Sequence, residues 1–589
     1  MRRSSILTIS AVSSVLFGVA AIRLNSRFSS AQAAAQTGQP VPVLAAATPP
    51  GAQAQIKPAQ IQPTQIKPVS ATVSTTVDTA DARPDQPLRQ PGIEIYTAKR
   101  GETIPTVARR YLKETSYLTS SELAEAIRGV NGGVAGNVLK AGEQITIPGI
   151  LSAPVVEKTV PVDKDFEVRA IYLTGIMAAS DHGLRIIRHW REVGGNAVVF
   201  DIKDSDGSVN IPFEHPLLGK HQVYIHDLPK FVHFLHAENM HAIARIAIFR
   251  DERMVVEHPE LAVRSKKTGQ PWRENGKLVW TDPSNPKVQE YDIALAKFVA
   301  QSGADEIQFD YVRFPAEGDQ KDASFVYQSE HPDTDTDSGN SRCEGSASLR
   351  FGGTAEAVVA TKVIPTKASP AKAIPKNAGP CNAERPRGMQ RSDVITGFLK
   401  KAYAELQPTG VLLSLDVFGI MAWQRPIDLS HTGQDIVGMA KYCDVLSPMI
   451  YPSHFFGMDG IELPGDAPEH FIGESMQRFE LITKGSGVVI RPWLQAFRWR
   501  TKTYSPDYIK VQVATAKEKG GIGFLFWNAA NDYSKPYTAM PEMKAADLKD
   551  ASKDKPKYFR GDELPAATVK ATLTPVPAPA AVRTEAAIH

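Results

Sequence analysis

At 589 residues, with 67 Lys and Arg against 64 Asp and Glu, the chain is long enough for several domains and too evenly charged to be built for nucleic acid. Hydrophobic residues at 42% and charged residues at 22% are the balance of a soluble globular protein. Three cysteines exclude a disulfide scaffold and a structural zinc site.

Arg2 and Arg3 precede an uncharged apolar run from Ile6 to Ile22, and small residues follow at Ala31-Gln-Ala33. Residues 1–33 therefore read as an export signal, with an uncleaved membrane anchor as the alternative. Export places the protein in the periplasm or cell envelope, touching the membrane only if that segment is retained. Residues 34–91 turn to Ala, Gln, Pro and Thr, a composition that buries too little to fold and reads as an extended linker.

Residues 92–150 form a compact unit. Ile93 to Thr97 alternates as a strand, Gly101-Glu-Thr103 caps a helix through Tyr111, Ser120 or Ser121 opens a second helix, and Leu139 to Pro148 returns as turn and strand. Through Tyr96, Gly101-Glu-Thr103, Tyr111, Ile127, Asn131, Gly142 and Ile145 to Pro148 the unit resembles a LysM domain. That resemblance implies a β-α-α-β module binding glycans that contain N-acetylglucosamine, such as peptidoglycan.

A Pro/Val-rich linker at 151–165 leads into residues 166–545, where eight strand patterns alternate with helical ones. The strands run over Val168–Thr174, Asn196–Ile202, Ala242–Phe249, Asp305–Asp310, Val411–Asp416, Cys443–Ile450, Val488–Gln495 and Ile522–Trp527. The rhythm predicts an α/β fold, a (β/α)8 TIM barrel, rather than an open sheet, since no Gly-rich phosphate loop follows an early strand. An insertion at 317–388, rich in Asp, Ser, Ala, Lys and Pro, is expected to be largely disordered. Cys343 and Cys381 fall inside it, where an oxidising compartment would leave them free to pair. Residues 546–589 read as a disordered tail.

Barrel chemistry comes from the C-terminal ends of strands, so polar residues of inward parity there are the candidates. Asp201 and Lys203 share one face of the second strand, Gln308 and Asp310 one face of the fourth, Ser414 and Asp416 one face of the fifth. Arg491, Trp493 and Gln495 share one face of the seventh. Asp310 and Asp416 would stand on adjacent strands, and a carboxylate pair at one mouth suits glycosidic bond cleavage. Asp310 is taken as nucleophile or base and Asp416 as acid, with the reverse assignment open. Aromatic side chains at the same strand ends, Tyr311, Phe418, Trp423, Tyr451, Trp493, Phe497, Trp499 and Trp527, would stack on sugar rings. Lys203, Arg313, Tyr451, His454, Arg491, Gln495 and Asn528 are candidates for holding substrate hydroxyls or charged groups. Histidines between His215 and His241 lack a tight ligand pair, so no metal and no cofactor is called for.

The motifs Val199-Phe-Asp-Ile-Lys-Asp204, Gln308-Phe-Asp-Tyr-Val-Arg-Phe-Pro315, Leu415-Asp-Val-Phe-Gly419, Leu446 to His454, Arg491-Pro-Trp-Leu-Gln495 and Gly523 to Asn528 resemble, in order, a family of bacterial glycoside hydrolases with a TIM-barrel fold. The resemblance implies hydrolysis of a polysaccharide. Two other readings are a non-catalytic glycan-binding protein with a degenerate barrel, and a metal-dependent polysaccharide deacetylase.

Overall fold

The computed structural model describes residues 92–133, 137–277, 279–330 and 388–550. The N-terminal apolar run, the linker before residue 92, both insertion cysteines and the chain beyond Asp550 lie outside the described residues.

Eight parallel strands close into a barrel. They are β1 (Val168–Leu173), β2 (Ala197–Lys203), β3 (His241–Ala247), β4 (Glu306–Asp310), β5 (Leu412–Phe418), β6 (Val445–Ile450), β7 (Val489–Ile490, resumed at Trp493–Gln495) and β8 (Gly523–Trp527). The break in β7 falls at Arg491-Pro492, since proline has no N–H to give the ladder. Every residue of β2, β3 and β4 is buried, as expected where helices cover one face of a parallel sheet and other strands the opposite face. Gly523, at φ +76°, closes the seam between β8 and β1: a Cβ there would lie 2.1 Å from the Val168 carbonyl oxygen.

The covering helices are α1 (Asp181–Val193), α2 (Leu228–Ala237), α3 (Pro286–Gln301), α4 (Arg391–Leu406), the single turn α5 (Ile436–Met439), α6 (Pro468–Thr483), α7 (Pro506–Glu518) and α8 (Ser534–Asp550). Several begin where a short polar side chain accepts from the first turn: Ser180 from the Gly183 N–H, Asp227 from Lys230, Ser505 from Tyr508. The last of them, α8, extends the fold to Asp550, five residues into the expected tail.

The N-terminal unit is a strand (Gly92–Thr97), two helices (Ile104–Tyr111 and Ser120–Val130) and a strand (Gln144–Ile150) paired antiparallel with the first. It carries its own core of Ile104, Val107, Leu123, Ile127, Ile145 and Ile147. The stretch 151–165, expected as a linker, runs bonded along the base of the barrel. Thr159 Oγ1 donates to the Ala304 carbonyl at 2.8 Å, and Val160 N–H donates to Asp305 Oδ1 at 2.8 Å. Glu157 meets His233 there at 2.6 Å and His236 at 3.2 Å, so those two histidines are held at the closed end, away from the mouth. The first part of the insertion is also folded: Phe325 packs edge-on against Phe314 at 4.8 Å, and Val326 N–H donates to Asp282 at 2.7 Å.

Two predicted site residues leave the mouth altogether. A bulge between Asp201 and Lys203 breaks the shared parity of β2, so Asp201 stays inside while Lys203 turns outward toward α3. There its Nζ pairs with Asp251 at 2.8 Å and Asp292 at 2.9 Å, and donates to the Ile248 carbonyl at 3.0 Å. Arg491 does point inward, but at the base, where it pairs with Glu306 at 2.7 Å beside His241. Both are ionic struts of the scaffold.

Burial alone would pull the Lys203 ammonium down, yet Asp251 and Asp292 hold it well above its usual range. Removing that charge strands two buried carboxylates. Lys203→Met is therefore expected to lower stability by about 3–5 kcal/mol in urea unfolding, while turnover per folded molecule stays near wild type.

Candidate active site

Asp201, Asp310 and Asp416 all project into the barrel near the C-terminal ends of their strands, and one guanidinium joins them. Arg245, on β3, donates from Nη1 to Asp201 Oδ1 at 2.5 Å and from Nη2 to Asp310 Oδ2 at 2.6 Å. Its Nε lies 3.2 Å from the same Asp310 oxygen and 3.9 Å from Asp416 Oδ2. The Asp310 and Asp416 oxygens can thus be no farther apart than those two distances laid end to end.

The carboxyls have unlike surroundings. Asp310 Oδ2 takes both Arg245 donors and Oδ1 takes the Tyr311 N–H at 2.6 Å, three N–H donors in all. Asp416 is fully buried; burial, and then the charge of Asp310, push it well above the carboxylate range. Arg245 and the Trp493 indole N–H, 2.6 Å from Asp416 Oδ1, pull the other way without prevailing. Burial raises Asp201 to about 7 against the pull of Arg245, and the Tyr172 hydroxyl donates to its Oδ2.

Aromatic side chains stand on two sides of this cluster. On one, Tyr451 packs against Trp527 at 5.8 Å, Phe497 at 5.6 Å and His454 at 5.4 Å. Burial, helped by Arg500, lowers His454 to about 4, so it is a neutral ring at pH 7. On the other, the Arg313 guanidinium lies 4.6 Å from the Trp280 ring, 4.5 Å from Phe418 and 5.5 Å from Tyr311. Tyr311 follows Asp310 directly with φ +53°, a conformation uncommon for an aromatic residue, and it turns the chain sharply at the strand end.

Of the predicted residues, Asp201, Asp310, Asp416, Tyr311, Arg313, Tyr451, His454, Trp493 and Trp527 are thus brought together. Three others near the rim are spent on protein. Gln495 accepts from the Ser453 N–H at 3.2 Å and donates to the Phe497 carbonyl at 3.0 Å, tying loops together. Asn528 donates to the Ala496 and Asp532 carbonyls at 2.6 and 2.9 Å. Trp423 turns to the flank, against Arg478 of α6 at 4.9 Å and Phe455 at 5.8 Å. Sequence reasoning missed Arg245 and Tyr172. A lone Arg of inward parity in Ala242-Ile-Ala-Arg-Ile-Ala247 was the signal for the first.

The comparisons with known proteins bear on this barrel. A family model described as "Putative glycosyl hydrolase domain" matches residues 170–533. Among solved structures, a hypothetical protein from Ruminiclostridium thermocellum ATCC 27405 is 29% identical, covering 42% of this chain and 97% of its own, with a TM-score of 0.29. The PgaB (BpsB) glycoside hydrolase domain from Bordetella bronchiseptica is 12% identical, covering 63% and 98%, with a TM-score of 0.41. The spore cortex-lytic enzyme SleL of Bacillus megaterium QM B1551 is 12% identical, covering 76% and 85%, with a TM-score of 0.32. No curated protein matches the chain. The structural likenesses carry no argument by themselves, whereas the family match takes in more than half of the chain and the whole of the carboxylate site. By that match the chain belongs to the family of the "Putative glycosyl hydrolase domain".

Proposed function

We propose that this chain is an exported cell-envelope glycoside hydrolase, acting on a polysaccharide through Asp310 and Asp416 and held to peptidoglycan or a related glycan by its N-terminal unit. The observation that carries the catalytic part is the unlike pair on one guanidinium. Asp310 lies nearer the opening and accepts three N–H donors, while burial favours the protonated form of Asp416. In this reading Asp416 protonates the leaving oxygen as Asp310 attacks the anomeric carbon. The Asp310–Asp416 reach through Arg245 is short of all but the low end of the roughly 6.5–9.5 Å seen in inverting enzymes. That favours the retaining course: a glycosyl ester forms on Asp310, and Asp416, now deprotonated, draws the proton from the water that cleaves it. Asp201 and Tyr172 hold the far side of Arg245 and keep its fork aimed. Support for the envelope setting is the basic-then-apolar N-terminus and the β-α-α-β order of the N-terminal unit with its Gly101-Glu-Thr103 cap.

Reducing-end release from a panel of bacterial polysaccharides tests the reading. Asp416→Asn is expected to cut kcat by about 10²–10⁴ and Asp310→Asn by roughly 10³ or more, with wall binding intact. Release that survives both changes removes these residues from the chemistry, and a wild type that binds walls but releases nothing leaves a glycan-binding protein. NMR of the first-formed product should show the substrate's anomeric configuration.

The pH profile probes Asp416 separately. The Trp493 donor favours the ionised form of Asp416, so Trp493→Phe raises that carboxyl further. Because the acid works only while protonated, the alkaline limb of the rate profile is expected to move to higher pH. A limb that stays put or moves down would separate it from Asp416.

A further inference from the structure

Beside the mouth, a cavity of about 600 Å³ opens between the loop after β6 and the loop after β7. Its floor is apolar, with the Phe456 and Trp499 rings edge to face at 5.6 Å. Arg498, Arg500 and Lys502, alternating along the second loop, are exposed at its rim, and among the described residues none of the three is in an ion pair. The Arg500 guanidinium lies 4.0 Å from the Phe456 ring centre and 5.0 Å from that of Trp499. Stacked so, its planar fork is ordered in advance and leaves its N–H edge for an acceptor.

Two acidic residues share the lining. Asp466 is already spent, because its Oδ1 accepts from the Thr501 and Thr503 hydroxyls and from the Lys502 and Thr503 N–H groups. Glu462 is exposed; Asp466 keeps its charge under those neutral donors, so three cations outnumber two carboxylates, of which only Glu462 is open. The aromatic floor is continuous with the catalytic rim: Trp499 packs on His454 at 4.8 Å, and His454 on Tyr451 at 5.4 Å.

We propose that this cavity is a binding subsite for a carboxylate-bearing sugar residue of the glycan, the ring stacking on Trp499 and the carboxylate meeting Arg500 with Arg498 or Lys502. The proposal takes from the hydrolase reading that a glycan crosses the mouth; the cavity's preference for an acidic residue stands on its own lining. It makes the substrate an acidic polysaccharide and places the specificity on the loop after β7, beside the mouth.

Binding separates this proposal from the catalytic one. Full-length Asp310→Asn protein, which prevents turnover, is titrated calorimetrically with two matched pairs. One is a peptide-free tetrasaccharide of alternating N-acetylglucosamine and N-acetylmuramic acid against chitotetraose. The other is a tetrasaccharide of alternating N-acetylglucosamine and glucuronic acid against its carboxyl-reduced form. In at least one pair the acidic member is expected to bind about fivefold tighter. That preference should fall to within about twofold once Arg500→Ala is added, with the neutral member unaffected. Lys502→Gln, which leaves the stacked floor alone, should lose part of the preference and guards against a misfolded Arg500 variant. No acidic preference in either pair, or a preference that survives Arg500→Ala, overturns the subsite whether or not the protein hydrolyses anything. A wild type that shows this preference but hydrolyses none of the four oligosaccharides would instead fault the catalytic assignment.

Discussion

A single guanidinium held among three buried carboxyls is the constraint on which the site depends. Arg245 reaches Asp201, Asp310 and Asp416 from the centre of the barrel, and burial that would pull its own charge down is outweighed by theirs. One positive charge cannot support three negative ones in a medium from which water is largely excluded. The protons must therefore be shared out unequally, and the hydrogen bonds decide how. Asp310, nearest the opening, collects N–H donors; Asp416 and Asp201, deeper and more enclosed, are pushed upward. Carboxyls of the same residue type thus meet unlike surroundings within one cluster because their depths and donors differ.

That cluster sits in a barrel braced by buried ion pairs at both of its ends. Arg491, Glu306 and His241 form an ionic layer inside the closed end, while Lys203, at the mouth end of β2, ties that strand to α3 and the loop after β3 through Asp292 and Asp251 on the outside. Each is costly to assemble, but each ties down a strand that serves the site: Glu306 is on the same strand as Asp310, His241 on that of Arg245, and Lys203 on that of Asp201. A strand that slipped by one residue would carry its carboxyl out of the barrel altogether.

Much of this was legible in the chain. Apolar runs separated by helical periods gave all eight strands, because a parallel strand buried on both faces has a distinctive composition. Parity then picked out Asp201, Asp310, Asp416 and Trp493, since alternation along an unbroken strand is geometry and not statistics. The failures have physical causes. Lys203 follows a bulge, and nothing in Val199-Phe-Asp-Ile-Lys203 announces the extra residue that turns it outward. Arg491 has the right parity but the wrong depth, and depth depends on strand stagger, which no single strand reveals. Gln495 and Asn528 are placed at the rim as foreseen, yet their amides satisfy main-chain groups of loops whose paths are set only in the fold. Arg245 went unread because a strand otherwise so apolar drew attention to its core rather than to the one charge within it.

The N-terminal unit sits where the proposed division of labour would need it. Two of its contacts fall at the first turns of barrel helices: Thr119 donates to Asp181 at the start of α1, and Lys230 near the start of α2 donates to the Leu112 carbonyl at 2.8 Å. Arg188, further along α1, meets Glu122 at 2.8 Å. Helices of a β/α barrel run antiparallel to its strands, so their first turns lie at the end where the strands finish, which is the end that carries the carboxyls. The chain then descends through residues 151–165 to the base, bonded at Thr159 and Val160, before β1 begins. In the proposed reading, a glycan held by that unit would meet the barrel at the catalytic rim, where Tyr451, Trp527 and the basic loop beyond them already form a path across the opening.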